Sequence, residues 1–176
     1  MFHRLVAMIC VGLLIVFSVC AEETNKLVSC VVTNGAKQAA FLYPDYCYIE
    51  DDDTLGVFVY LNDTDYVAIS IPNRGLSGTE KLRENIGDDA SIHVLTDDMN
   101  VFATHGDDNH HRPNVDIVAV GIDLPDGTGI IANAECNNGT TEIYDVLLTI
   151  VDSFTDASTL ETWLADEWIP NVLQNP

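Results

Sequence analysis

An α+β domain is predicted by three observations. β-prone runs with two-residue alternation dominate the chain up to about residue 136, hairpin signals separate them, and sustained apolar spacing of three or four begins only at residue 143. The expected architecture is an antiparallel sheet of short strands and hairpins, with two C-terminal helices packed on one of its faces.

The elements follow in order. Residues 27–33 are β-prone and meet Asn34-Gly35, a dipeptide suited to a tight hairpin turn, before a second apolar stretch over 39–49 that Pro44 interrupts. Residues 56–61 and 66–71 are aromatic and β-branched runs separated by Asn62-Asp63-Thr64-Asp65, another hairpin. Ser77 and Glu80 have the spacing of a capping box, which predicts a short helix through Ile86. Extended structure resumes over 91–95 and 100–104, around Asp97-Asp98.

Residues 115–124 and 129–136 form the clearest pair of strands, joined through Pro125-Asp126-Gly127, where proline presets one dihedral and glycine accepts the left-handed one. Val115, Ile117, Val118, Ala119, Val120 and Ile122 are nearly continuous, so this strand is expected to be buried on both faces at the centre of the sheet. Ile143, Val146, Leu147, Ile150, Val151 and Phe154 then share one helical face, with Thr140 or Thr141 as the expected N-cap. Ser158 and Glu161 suggest a capping box for a last helix carrying Leu160, Trp163, Leu164 and Trp168, with Pro170 as its stop; the two tryptophans are expected in the core.

Residues 1–21 combine a basic start at Arg4, an apolar run over 5–19 and a small residue at Ala21, the pattern of a secretory signal peptide cut after Ala21. The expected product is a single secreted acidic domain over residues 22–176, with no membrane span in the mature chain. Cys10 and Cys20 leave with the leader. Cys30, Cys47 and Cys136 remain, which allows one disulfide in any of three pairings and leaves one thiol for burial or for a disulfide-linked dimer. Asn62-Asp63-Thr64 and Asn138-Gly139-Thr140 are glycosylation sequons at Asn62 and Asn138.

Losing Arg4 leaves six basic residues against twenty-eight acidic ones, a net of −22. Such a surface repels nucleic acid and anionic membrane and attracts basic proteins, amines or calcium. Most acids are scattered in turns. Glu50-Asp51-Asp52-Asp53 is the one run, and with Asp107 and Asp108 it supplies the candidate ligand-binding residues.

Counted from Asp51, an EF-hand would need an oxygen ligand at its fifth position and a glutamate at its twelfth, where Leu55 and Asn62 stand; only a weak calcium site remains open there. HGDDNHHRP, residues 105–113, holds three of the five histidines, yet its spacing and glycine do not fit the helical zinc-protease motif. His105, Asp107 and His111 are the candidate zinc ligands if the loop folds back on itself. The same loop gathers three imidazoles beside carboxylates, a cluster expected to gain charge on mild acidification.

No phosphate-binding loop occurs in the sequence, and Gly127-Thr128-Gly129 opens a strand where a dinucleotide fingerprint must open a helix. Gly75-Leu76-Ser77-Gly78 lacks the spacing of a nucleophile elbow, so Ser77 reads as a helix cap. A strand from Asp116 containing Gly121-Ile122-Asp123-Leu124, a Gly129-Ile130-Ile131-Ala132 strand ending near Cys136, and then a helix resembles the run-up to the active-site helix of metzincin metalloproteases. That helix, 143–154, has no histidine, so the resemblance implies an inactive relative lacking the zinc motif. The functional expectation is a secreted, non-enzymatic binding or inhibitory protein for an extracellular basic protein or other cationic ligand, without a cofactor. The alternative is a calcium- or zinc-binding domain or an enzyme-like fold.

Overall fold

A computed structural model describes residues 26–87, 91–105, 115–137 and 140–174. Residues 1–21, expected as a signal peptide, and Asp107, Asp108, His111 and Asn138 lie outside the described residues. The first described element is a hairpin of β1 (Leu27–Asn34) and β2 (Lys37–Pro44), which among the described residues is a separate two-stranded sheet. Gly35 makes its turn at φ +60°, as the Asn-Gly dipeptide predicts.

Seven further strands among the described residues are β3 (Tyr48–Asp52), β4 (Gly56–Tyr60), β5 (Tyr66–Ser70), β6 (His93–Thr96), β7 (Met99–His105), β8 (Val115–Asp123) and β9 (Gly129–Asn137). They form one antiparallel sheet in the order β3-β4-β5-β9-β8-β7-β6. With helices at the C-terminus, this is the expected α+β architecture. The centre differs from the sequence reading. β9 occupies it and β8 lies beside it, because β5 returns from the first half of the chain to pair with β9.

Alternation sends Val59, Val67, Val120, Ala132 and their neighbours to one face, where they pack against Phe41 of β2 and against α2 (Glu142–Asp152). α2 contributes the predicted stripe, including Ile143, Leu147 and Ile150, all fully buried. Each such side chain contributes about 1.5–3 kcal/mol of burial. α3 (Ser158–Trp163) adds Leu160 and Trp163 to the same core.

The opposite face is covered at one end by α1 (Gly78–Ile86), which begins at the predicted Ser77–Glu80 capping box. Its first turn lies directly on β8 and β9. A Cβ on Gly78 would stand 2.2 Å from the Ile122 carbonyl oxygen, and one on Gly121 would stand 2.4 Å from that of Gly78. Glycine is therefore what lets this helix touch the sheet. Asp123 fastens the contact, accepting from the Thr79 backbone N–H at 3.1 Å and its hydroxyl at 2.6 Å.

The C-terminal helices depart from the sequence reading at their ends. Thr141 stands at the N-cap of α2 without a side-chain capping bond. The Ser158–Glu161 box does not form; Ala157 is the cap residue of α3, and Asp156 accepts from the Ser158 N–H at 2.9 Å. Those contacts, backbone N–H first, hold the Asp156 carboxyl below its ordinary range. Pro170 does not stop the helix. The chain passes from α3 through a π-helical turn (Leu164–Trp168) into α4 (Ile169–Gln174), with the Ile169 N–H bonding the Leu164 carbonyl. The wider turn comes just before the proline, whose missing N–H and ring disfavour α-helical bonding to Asp166. No helix among the described residues is long and apolar enough to cross a membrane.

Candidate functional site

The face of β3–β4–β5 turned away from the core carries an aromatic row. Because alternate side chains share a face, burying Val57, Val59, Val67 and Ile69 sends Phe58, Tyr60 and Tyr66 to the other side. Register then aligns them. Tyr48 stands opposite Tyr60, Tyr60 opposite Tyr66, and Tyr66 opposite Glu135, with Glu50 opposite Phe58 in the next row.

The rings are in contact. Tyr48 and Tyr60 stack with centroids 4.8 Å apart and 6° between their planes, while Tyr66 meets Tyr60 at 5.3 Å and Phe58 at 5.6 Å. Tyr48 is 47% exposed, so the outer end of the row is open. Burial, a hydrogen bond to Glu50 and the Glu50 charge raise the Tyr60 phenol above its ordinary pKa. Partial desolvation followed by the charges of Asp63 and Glu50 does the same at Tyr48. Both shifts record carboxylates beside the phenols. Asn133 adds a buried acceptor to this face, its Oδ1 having no hydrogen-bond partner among the described residues.

The predicted acidic run is divided by the strand. Glu50 and Asp52 share the aromatic face, whereas Asp51 points the other way, close enough to raise the Cys30 pKa after burial has done so. Asp52 also has a structural task, its Oδ1 accepting from the N–H groups of Thr54 and Leu55 at 2.8 Å each. Asp53 lies in the turn that follows β3. Among the described residues, Lys81 pairs with Glu84, and no lysine or arginine of theirs is paired with Glu50.

Of the proposed zinc ligands, only His105 is described. Its Nδ1 lies 2.5 Å from Oδ1 of Asp116, which is 2% exposed and stands directly opposite on β8. Sequence reading missed Asp116, which looks there like the edge of an apolar run. Cys136 is the next residue in the row, and its thiol donates to the Thr140 carbonyl at 2.5 Å. The order imidazole, carboxylate, thiol is not the thiol–imidazole–carboxylate relay of a cysteine nucleophile. No group of three metal-ligating side chains occurs among the described residues.

No disulfide joins Cys30, Cys47 and Cys136 in this structure. Burial pushes the Cys47 thiol up to about 11. The Asn62 sequon is folded into its hairpin turn: Oδ1 accepts from the Thr64 and Asp65 N–H groups at 2.9 Å each, and Nδ2 donates to Asp65 at 2.8 Å. The aromatic row itself was legible in principle, since two-residue alternation in β4 and β5 places those rings on one face, but its assembly needed the register.

Comparison with family models, curated proteins and solved structures finds no match to this chain.

Proposed function

We propose that this chain is an extracellular binding protein that captures a basic protein on the open face of β3–β4–β5. The observation that carries the reading is the Tyr48–Tyr60–Tyr66 row with Glu50 beside it. Aromatic faces attract a guanidinium or ammonium group, each contact contributing about 0.5–1 kcal/mol at an exposed site. A neighbouring carboxylate adds charge-assisted hydrogen bonds, for which the planar arginine fork is best suited. The strongly acidic surface would speed encounter with such a partner.

Calorimetric titration with an oligoarginine peptide tests this. Tyr48→Ala combined with Glu50→Gln should weaken binding by at least about tenfold, while Glu161→Gln on the exposed side of α3 leaves it unchanged. Equal losses from both changes would reduce the interaction to diffuse charge and overturn the site.

A second reading, zinc binding at His105 with Asp107 and His111, is favoured by the Asp116 carboxylate, which orients the ring through Nδ1 and leaves Nε2 as a donor. Zinc titration of the native chain and of Asp116→Asn tests it. Saturable binding weakened by about 10–100-fold in the variant supports the reading, and equal affinity refutes it.

A further inference from the structure

The β1–β2 hairpin is the least acidic part of a strongly acidic chain. Residues 24–44 include two lysines and no Asp or Glu, although the chain has twenty-eight acids. Alternation turns Val32, Ala39 and Phe41 into the core and Leu27, Ser29, Val31, Thr33, Ala40 and Leu42 outward, with Val31 47% exposed. The outer face of the hairpin is therefore uncharged and largely apolar.

Its two edges differ. The Asp45 N–H donates to the Lys26 carbonyl at 2.8 Å, so in this register the even-numbered residues of β1 bond β2, and the odd-numbered ones point their N–H and C=O groups away from it. Leu42, opposite Ser29, obeys the same pattern on β2: its N–H points outward and donates to Ser153 Oγ at the end of α2, over 2.8 Å. The outer edge of β1 has no such cover. Among the described residues nothing accepts from the N–H groups of Ser29, Val31 and Thr33. The terminal strands of the large sheet are better guarded against pairing, since β3 carries Glu50, Asp51 and Asp52, and β6 has four residues with a register shift between Val94 and Thr96. β1 presents eight residues with neither charge nor proline.

We infer that β1 is the interface between two copies of this chain, pairing antiparallel with its counterpart across a two-fold axis so that two hairpins make one four-stranded sheet. A strand laid antiparallel on its own copy is self-complementary, and the free N–H and C=O groups of each satisfy the other. Charge selects the same surface. Two such acidic chains repel wherever their carboxylates meet, and this hairpin has none. Leu27 and Val31 gain cross-strand neighbours from the second copy. The hairpin packs on the core side of the large sheet and the Tyr48–Tyr60–Tyr66 row lies on the other, so the interface and the aromatic row occupy separate surfaces.

One strand from each copy buries less than about 1,200 Å², the size of a weak interface. Sedimentation equilibrium should find monomer and dimer exchanging with a dissociation constant of about 1–100 μM, tightening as salt rises from about 0.05 to 0.5 M and screens the repulsion between acids. Amide hydrogen exchange at Ser29, Val31 and Thr33 should slow at least about tenfold from dilute to concentrated solution. Val31→Lys, which places a charge on the open edge, should weaken the dimer at least about tenfold, while Leu55→Lys in the exposed turn between β3 and β4 leaves it unchanged. A chain that stays monomeric up to about 1 mM, or a dimer whose three β1 amides exchange as fast as in the monomer, overturns the proposal. Both results are read on the native chain, so neither depends on the variant folding.

Discussion

Trp168 donates its indole N–H to the hydroxyl of Tyr144 over 3.0 Å, joining the π turn to α2 where both side chains are buried. Burial drives the Tyr144 phenol far above its ordinary pKa, so the hydroxyl remains a neutral partner. Tyr144→Phe should strand the indole N–H and destabilise the fold by about 1–3 kcal/mol. The urea midpoint of the variant measures this; a change below a few tenths of a kcal/mol would mean that the donor finds another acceptor.

The approach of α1 to the sheet makes a steric prediction. Gly121→Ala directs a methyl group at the Gly78 carbonyl and should destabilise by about 1–3 kcal/mol as overpacking, plus the strain of moving backbone. Gly35→Ala has open space around it and should lose only about 1–2 kcal/mol, from its left-handed φ. Thermal unfolding of the two variants compares them. Equal or reversed losses would show that α1 shifts off the sheet at little cost.

Local chemistry was the legible part of this fold. Asn34-Gly35, Pro125-Asp126-Gly127 and the Ser77–Glu80 box each act within a few residues, and each forms as its chemistry predicts. The α2 stripe was also visible, because its period is local. Pairing β5 with β9 was not, since it joins residues more than sixty positions apart and depends on the whole sheet. The aromatic row and the His105–Asp116 pair were hidden for the same reason: both exist only across strand register. At the start of α3 the Ser158 N–H donates to the Asp156 carboxylate and Ala157 is the cap residue, so a motif with the right spacing does not form.

Alkaline solution should destabilise the protein. Burial is the largest cause of raised pKa values at Tyr43, Tyr46 and Tyr144 and at the Cys47 thiol, pushed up to about 11. In each case the unfolded chain ionises first. The stabilisation is therefore complete below the unfolded values, about 8.5 for thiols and 10 for phenols, and is lost as pH rises through the folded ones. Urea midpoints should fall steadily between about pH 8.5 and 11, and absorbance titration should find Tyr144 ionising only with unfolding. A flat or rising midpoint over that interval contradicts the assignment.

The binding face constrains the sugar. The Asn62 backbone carbonyl lies 3.4 Å from the Tyr48 hydroxyl, so a glycan on Asn62 would crowd the open end of the aromatic row. Its side-chain nitrogen is already engaged with Asp65. After expression through a glycosylating secretory pathway, peptide mass mapping should find Asn62 bare. Full occupancy there would count directly against β3–β4–β5 as the contact surface.

Oxidation should select one cysteine pair. Cys30, on the inward side of β1, and Cys47, just beyond β2, both lie close enough to Tyr43 to raise its phenol pKa after burial has done so, whereas Cys136 is on β9 with its thiol on the Thr140 carbonyl. With oxidised glutathione as the electron acceptor, the two thiols near Tyr43 lose their protons and form a bridge while glutathione is reduced. Cys47 ionises only near 11, so the reaction should be slow at neutral pH and accelerate as the solution becomes alkaline. Cys136 is fully buried and should stay reduced, which also prevents a covalent dimer through it. Non-reducing peptide mapping after the exchange should recover Cys30 linked to Cys47. A bridge involving Cys136, or a reducible dimer as the main product, would show that the native arrangement of these three thiols differs from the one described.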